Sequence, residues 1–179
     1  MGPSNIDRMV TVRGATVDDW PAMVEVFQAA GQAAWGHIMS AEALTGLTPP
    51  TRWLDLISAD KEIFAVLVAS SDDGVQGFVI AGPSGDEDAK PLTGEIVSMY
   101  THPNVWGQGV GRTLMQVGTA FLVRGRFVEA TLWTEIRNER PRRFYEALGW
   151  TLDGAERHRE VRGSAIHELR YRLALTSSL

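Results

Sequence analysis

Two short segments of this sequence combine residue types that do chemistry. The first, residues 99–115 (MYTHPNVWGQGVGRTLM), ends a hydrophobic run at His102 and Pro103. It then carries Gly107, Gly109 and Gly111 and opens into an apolar helical pattern. Glycines at a helix start let backbone N–H groups approach a ligand closely. The unpaired donors and positive dipole end there favour an anion such as phosphate. The same triplet can also simply close a strand–helix joint. No lysine follows in the GxxxxGK[ST] pattern of a Walker loop. The dinucleotide fingerprint GxGxxG at a first strand–helix turn also fits poorly, because GQGVG comes after several strands.

The second segment, residues 138–150 (NERPRRFYEALGW), reads as a helix. Pro141 is tolerated near its start, where N–H groups lack intrahelical partners, and Gly149 ends it as a left-handed cap. Phe144 and Leu148 stand at i, i+4 and are expected in the core, with Tyr145 off that stripe. By itself Tyr145 is either a half-buried packing tyrosine or a proton donor.

The elements that must position these segments follow from pattern. Residues 10–13 (VTVR) alternate as a short strand, and Thr16 with Asp19 three places on marks a helix start. The helix that follows carries Trp20, Met23, Val24, Phe27 and Trp35. A second helical stretch starts near Ser40, breaks at Pro49 and Pro50, and resumes through Trp53, Leu54 and Ile57. Residues 62–70 and 75–81 form a hairpin around a turn at 71–74. A polar loop at 82–90 precedes a third strand, 93–102. Then come a helix (109–124), a strand (127–134), a helix (138–148) and strand-like segments near 150–153 and 165–173. Gly154 and Gly163 bracket a charged connection between these last two, which are expected to pair. In the 109–124 helix, Val110, Leu114, Val117 and Phe121 are expected on one buried face. The order βααβββαβαββ predicts an α/β (α+β) fold, a mixed, mostly antiparallel sheet with helices on both faces.

Composition sets the outer limits. The chain has 179 residues, 44% of them hydrophobic, enough for one domain over residues 9–175 after a polar lead-in at 1–8. Seventeen Lys and Arg against 22 Asp and Glu argue against a general nucleic-acid binder. Cysteine is absent, which removes thiolate ligands and a cysteine nucleophile. The four histidines lack i, i+4 or HExxH spacing, so no metal is expected. No run approaches the roughly 18 apolar residues of a spanning helix, and no signal pattern is seen. The expectation is a cytoplasmic protein without membrane or nucleic-acid partners. Asp86, Glu87 and Asp88 read as a solvated turn, or as a cation-attracting loop.

Taken together, the two segments resemble the GNAT superfamily of acetyl-CoA-dependent N-acetyltransferases. Its members carry a strand, then HP, then [RQ]-x-x-G-x-[GA] opening a helix, and later N-x-x-A-x-x-F-Y-x-x-x-G-F. Here these read WGQGVG and NERPRRFYEALGW, and the element order matches over residues 9–173. Trp106 stands where the family has Arg or Gln, which removes a polar side chain near the pyrophosphate. Because backbone donors make the main grip, the resemblance implies weakened rather than abolished binding. Pro141 and Trp150 are milder departures.

The resemblance implies a GNAT-like acyl-CoA N-acyltransferase fold with acetyl-CoA as cosubstrate, no metal and an amine acceptor. A homodimer is among the assemblies it implies. Met99, Tyr100 and Thr101 would offer backbone to the pantetheine arm. Trp106, Gly107, Gln108, Gly109, Val110, Gly111 and Arg112 would wrap the pyrophosphate. Asn138 would bond the cofactor arm, and Tyr145 would sit near the thioester sulfur.

Acyl transfer to an ammonium of pKa about 10.4 requires a base. Some family members carry a catalytic glutamate at the position of Glu95, and by period two Glu95, Val97, Met99 and Thr101 share a face. The alternative is a solvated strand-start residue. His102 is a weaker candidate. A backbone N–H around Tyr100 would stabilise the oxyanion, and Tyr145 would protonate the leaving thiolate. Trp35, His37, Trp53 and Phe64 either line an acceptor pocket or belong to the core. The competing readings are a noncatalytic acyl-CoA sensor and a Rossmann-type nucleotide binder.

Overall fold

The computed structural model describes residues 10–175. The elements run β1 (Thr11–Gly14), α1 (Trp20–Trp35), α2 (Ala41–Leu44), α3 (Arg52–Ser58), β2 (Ala65–Ser71), β3 (Gly74–Pro83) and β4 (Thr93–Thr101). After these come α4 (Val110–Arg124), β5 (Glu129–Glu135), α5 (Glu139–Ala147), β6 (Thr151–Val161) and β7 (Ser164–Ala174). The strands form one sheet in the order β1-β2-β3-β4-β5-β7-β6. Every neighbouring pair is antiparallel except β4 and β5. The polar lead-in expected at residues 1–8 lies outside the described residues.

Each face of the sheet has its own core. Helices α1–α3 bury Met23, Val26, Phe27 and Trp53 against Val66, Val68, Phe78 and Ile80. Phe27 meets Trp35, Trp53 and Tyr100 edge-on, with ring centroids 4.8–5.8 Å apart. On the other face, Leu114, Met115 and Leu122 of α4 pack with Val79, Ala81, Ile96, Leu132, Trp150 and Tyr171. Helix α4 lies close to the sheet at Gly118, where an added Cβ would come within 3.2 Å of Ile96 and Val79. That contact rotates the helix from its expected setting. Val110, Leu114, Met115, Gly118 and Leu122 are buried, while Val117 and Phe121 are only half-buried.

The C-terminal hairpin also differs from expectation. Residues 155–161, read as a connection, are strand, and the turn is confined to Arg162 and Gly163, both at positive φ. Charge, rather than apolar alternation, holds the two strands together. Arg157 and Arg159 both reach the buried Glu168, at 2.6 and 2.9 Å, and His158 stacks on His167. Gly154 sits in an irregularity between Leu152 and Glu156. Among the described residues no helix is long and apolar enough to cross a membrane.

Candidate active site

β4 and β5 pair only through Thr93–Glu129, Gly94–Ala130 and Glu95–Thr131. Beyond that point β4 follows β3 to Thr101 and β5 follows β7 to Glu135, with no rungs between them. Ser98 pairs with Ile80 but Ile96 with Ala81, so Val97 is an extra residue that bends β4. The result is a wedge with two free backbone edges. His102 N–H bonds the Gln76 carbonyl at 2.8 Å. The alternation of an antiparallel ladder therefore turns Tyr100 toward β3, and Met99 and Thr101 toward the wedge. The Thr101 carbonyl confirms this direction by accepting the Trp106 indole N–H at 3.0 Å.

The glycine loop closes one end of the wedge. Gly107 and Gly109 have φ of 80° and 88°, and an added Cβ on either would meet nothing within 4 Å. Gly109 caps α4 in the left-handed region. The backbone N–H groups of Gly109, Val110, Gly111 and Arg112 have no acceptor among the described residues. Gln108 turns its side-chain amide back to the Asn104 carbonyl at 2.8 Å and its backbone N–H to the Val105 carbonyl at 3.2 Å, so neither donor faces the wedge.

Helix α5 supplies the opposite wall. Asn138, 8% exposed, is its N-cap and uses its backbone N–H on Glu135, while its side chain bonds no described residue. Beside it lies a cavity of about 380 Å³, lined by Ala33, Ala34 and His37 of the α1 end, Trp106, and residues 137–140. The Tyr145 ring packs against Phe144, Trp150 and Tyr171 at 5.5–6.5 Å. Its hydroxyl has no partner among the described residues, and burial pushes the phenol up to about 12.

Glu95 sits where β4 and β5 part. Ile96 enters the α4 core, so Glu95 faces α1–α3, where Arg52 of α3 acts on it. Its Oε2 accepts the Gly85 N–H at 3.1 Å. Burial raises its carboxyl above the usual carboxylate range, opposed by that hydrogen bond and reinforced by Asp86. The 84–88 loop is strapped down in turn. Asp86 accepts the Trp133 indole N–H at 2.8 Å, and Arg170 bonds Asp86, Asp88 and Asp153.

The sequence matches the acetyltransferase (GNAT) family model over residues 20–150. The chain belongs to this family. It is 32% identical over 95 residues to an uncharacterized N-acetyltransferase from Archaeoglobus fulgidus, a match that spans 52% of this chain and 62% of that protein. Its fold is similar to PaiA N-acetyltransferase from Thermoplasma acidophilum in complex with coenzyme A. That likeness has a TM-score of 0.73 at 17% identity and covers 89% of this chain and 98% of the other. It is also similar to YncA from Salmonella typhimurium, solved with its cofactor acetyl-CoA. Here the TM-score is 0.71 at 23% identity, covering 93% and 94%.

Within this GNAT chain Trp106 and Asn138 line one cavity with His37, Gly111 lies beside Thr101 and Phe144, Met99 and Tyr145 pack in the α4-side core, and Glu95 stands at the last rung between β4 and β5. Several expectations change. The extra residue Val97 breaks the period of two, so Glu95 and Val97 face α1–α3 while Met99 packs toward α4. The amides facing the wedge are those of Met99 and Thr101, and Tyr100 belongs to the aromatic core. Tyr145 is the buried residue of α5, whereas Phe144 and Leu148 are half-buried. The His102 ring accepts the Asn104 N–H at 3.2 Å and thereby caps a short turn. Trp53 is core, and Phe64 packs on Gly82, but His37 does reach the cavity. Sequence reasoning missed Trp133 and Arg170 because nothing local in the sequence pairs them with Asp86.

Proposed function

We propose that this protein transfers an acetyl group from acetyl-CoA directly to a primary amine of a small molecule or peptide. The observation that carries the reading is the row of N–H groups from Gly109 to Arg112 left unpaired among the described residues, together with the unbonded Asn138 amide at the head of α5 and the split between β4 and β5. These donors suit a pyrophosphate. The free edge of β4 suits a pantetheine arm laid beside it as an added strand, and the Asn138 amide has capacity to bond that arm. When bound, acetyl-CoA would supply the activated acyl carbon and a thiolate leaving group.

The chain's own residues would then manage charge and protons. Glu95, its proton affinity raised by burial, takes the proton that the amine must lose, directly or through water. Met99 or Thr101 N–H stabilises the acyl oxygen as nitrogen–carbon bond formation places charge on it. The carbon–sulfur bond breaks toward Tyr145. A phenol at about 12 stays protonated, and it holds its proton more tightly than a thiol of about 8.5. Tyr145 therefore stabilises the thiolate by hydrogen bonding, and the final proton arrives from solvent. This refines the sequence expectation of full protonation by Tyr145.

The first test is thiol release from acetyl-CoA, followed with a disulfide dye against a panel of primary amines. The absence of cysteine makes the protein silent to the dye. Turnover on one amine class is expected, and Tyr145→Phe should lower kcat about tenfold or more with KM for acetyl-CoA little changed. A Tyr145→Phe rate within twofold of wild type would remove the tyrosine from the mechanism. Binding of acetyl-CoA without turnover on any amine would replace the transferase reading with that of a sensor.

A further inference from the structure

Four arginines fall within residues 137–143, and three of them have oxygen partners. Arg137 bonds Glu135 at 2.7 Å, Arg142 bonds Tyr171 and the Ile136 carbonyl, and Arg143 bonds Glu139 at 2.6 Å. Arg140 differs. It makes no hydrogen bond or ion pair with any described residue, and its guanidinium carbon lies 4.3 Å from the centre of the Trp106 ring. Trp106 is itself fixed by its indole bond to the Thr101 carbonyl, at the lip of the wedge. Both residues line the same cavity, with Asn138 between α5 and the groove.

A guanidinium stacked on an indole keeps its in-plane N–H groups free, because the stacking uses only the face of the cation. Arg140 is therefore held, with its donors unused, over the residue that leads into the glycine loop of α4. Trp106 immediately precedes Gly107, so its ring holds beside the glycine loop a charge that comes from α5.

Resting on the acetyl-CoA reading above, we propose that Arg140 is a phosphate-binding residue. It grips the pyrophosphate of the acyl donor from the α5 side, with Trp106 as the platform that presents it. The groove then has two walls of different chemistry, backbone donors from α4 and one preorganised guanidinium from α5. This arrangement also predicts tight cofactor binding despite Trp106, where the family resemblance implies weakened binding.

The test is titration calorimetry of the full chain with CoA, 3′-dephospho-CoA and pantetheine, the last by displacement. Arg140→Ala should raise Kd for CoA and 3′-dephospho-CoA alike by about tenfold, the scale of a charge-assisted contact. It should leave pantetheine unchanged. Arg140→Lys should recover only part of the loss, since an ammonium neither stacks nor forks in the same way. Trp106→Ala should weaken CoA binding by about threefold, with Arg140→Ala adding less in that background than in wild type. Trp106→Arg should rescue Arg140→Ala. Because Arg140 is exposed and makes no hydrogen bond or ion pair with any described residue, its variants should melt with the wild type.

A Kd for Arg140→Ala within twofold of wild type overturns the proposal, as does an equal loss for pantetheine. A loss confined to CoA and absent with 3′-dephospho-CoA would move the contact to the 3′-phosphate and overturn the pyrophosphate assignment. Wild-type protein that binds none of the three overturns the acyl-transfer reading, and this one with it.

Discussion

At the head of α4 and the start of α5, polar groups stand without a hydrogen-bond partner among the described residues: four backbone N–H groups, the Asn138 amide and the Arg140 guanidinium. Around Arg170 the reverse holds. Its Nε bonds Asp153 at 2.8 Å, one terminal nitrogen bonds Asp86 and Asp88, and the other bonds Asp88. Asp153 also holds Arg172, and Trp133 closes over Arg170 at 5.4 Å. An unsatisfied polar group has hydrogen-bonding capacity to give a ligand. A satisfied one spends that capacity on geometry. The cofactor groove and the strap thus divide the labour, the groove binding and the strap fixing Gly85 against Glu95.

The largest effect should come from breaking the strap. Arg170→Met leaves the nearly buried Asp86 without its cation and Asp153 with Arg172 alone. Removing one partner of a buried ionic cluster costs about 3–5 kcal/mol. Urea unfolding at neutral pH should show that loss. A change below about 1 kcal/mol, the level of a surface ion pair, would mean that the strap is not a structural device and that the contrast with the groove is false.

Glu95 joins the two regions, and its substitution separates their roles. Glu95→Gln should lower kcat about a hundredfold and abolish the limb along which activity rises with pH. Burial lifts that limb above the ordinary glutamate value of about 4.3. Stability should move the other way. A carboxyl whose folded pKa is raised contributes stability at low pH and loses it as pH rises through the folded value. Glu95→Gln should therefore gain on wild type in melting temperature between acid and neutral pH. An unchanged pH–rate profile in Glu95→Gln would remove Glu95 as the base.

The two regions were not equally legible in the sequence. The glycine loop, α4 and α5 announce themselves by composition and period, because a helix start needs glycine at positive φ and an apolar stripe behind it. The strap does not. Asp86 and Asp88 read as a solvated acidic turn or a lure for a cation, and that cation is Arg170, more than eighty residues away. No local pattern encodes such a pairing. The extra residue Val97 is equally silent, since a bulge is set by pairing with β3 and β5 rather than by the identity of Val97, yet it decides which way Glu95 faces. The long β6 was hidden because charged cross-strand pairs took the place of alternating apolar residues.

Asp19 offers the smallest effect and the sharpest contrast with Glu95. Both carboxylates belong to the polar framework, but Asp19 accepts the Thr16 N–H at 2.8 Å, the Thr16 hydroxyl at 3.0 Å and two Arg13 nitrogens at 2.7 and 2.8 Å. Those bonds, chiefly to Arg13, hold its carboxyl far below the usual range, where Glu95 with a single donor is raised. Asp19→Asn keeps an acceptor for Thr16 and loses the charge. It should cost about 1 kcal/mol near neutral pH, a modest figure because half-exposed Arg13 is screened by solvent. The sign of the pH dependence is opposite to that of Glu95. A depressed pKa contributes stability above the unfolded value of about 3.9 and loses it as pH falls. The gap between wild type and Asp19→Asn should therefore be full above about pH 5 and close in acid, while the gap for Glu95→Gln opens as pH rises. Parallel pH dependence in the two variants would show that the number of donors around a carboxylate does not set its contribution here, and the contrast between saturated and open polar groups would lose its physical basis.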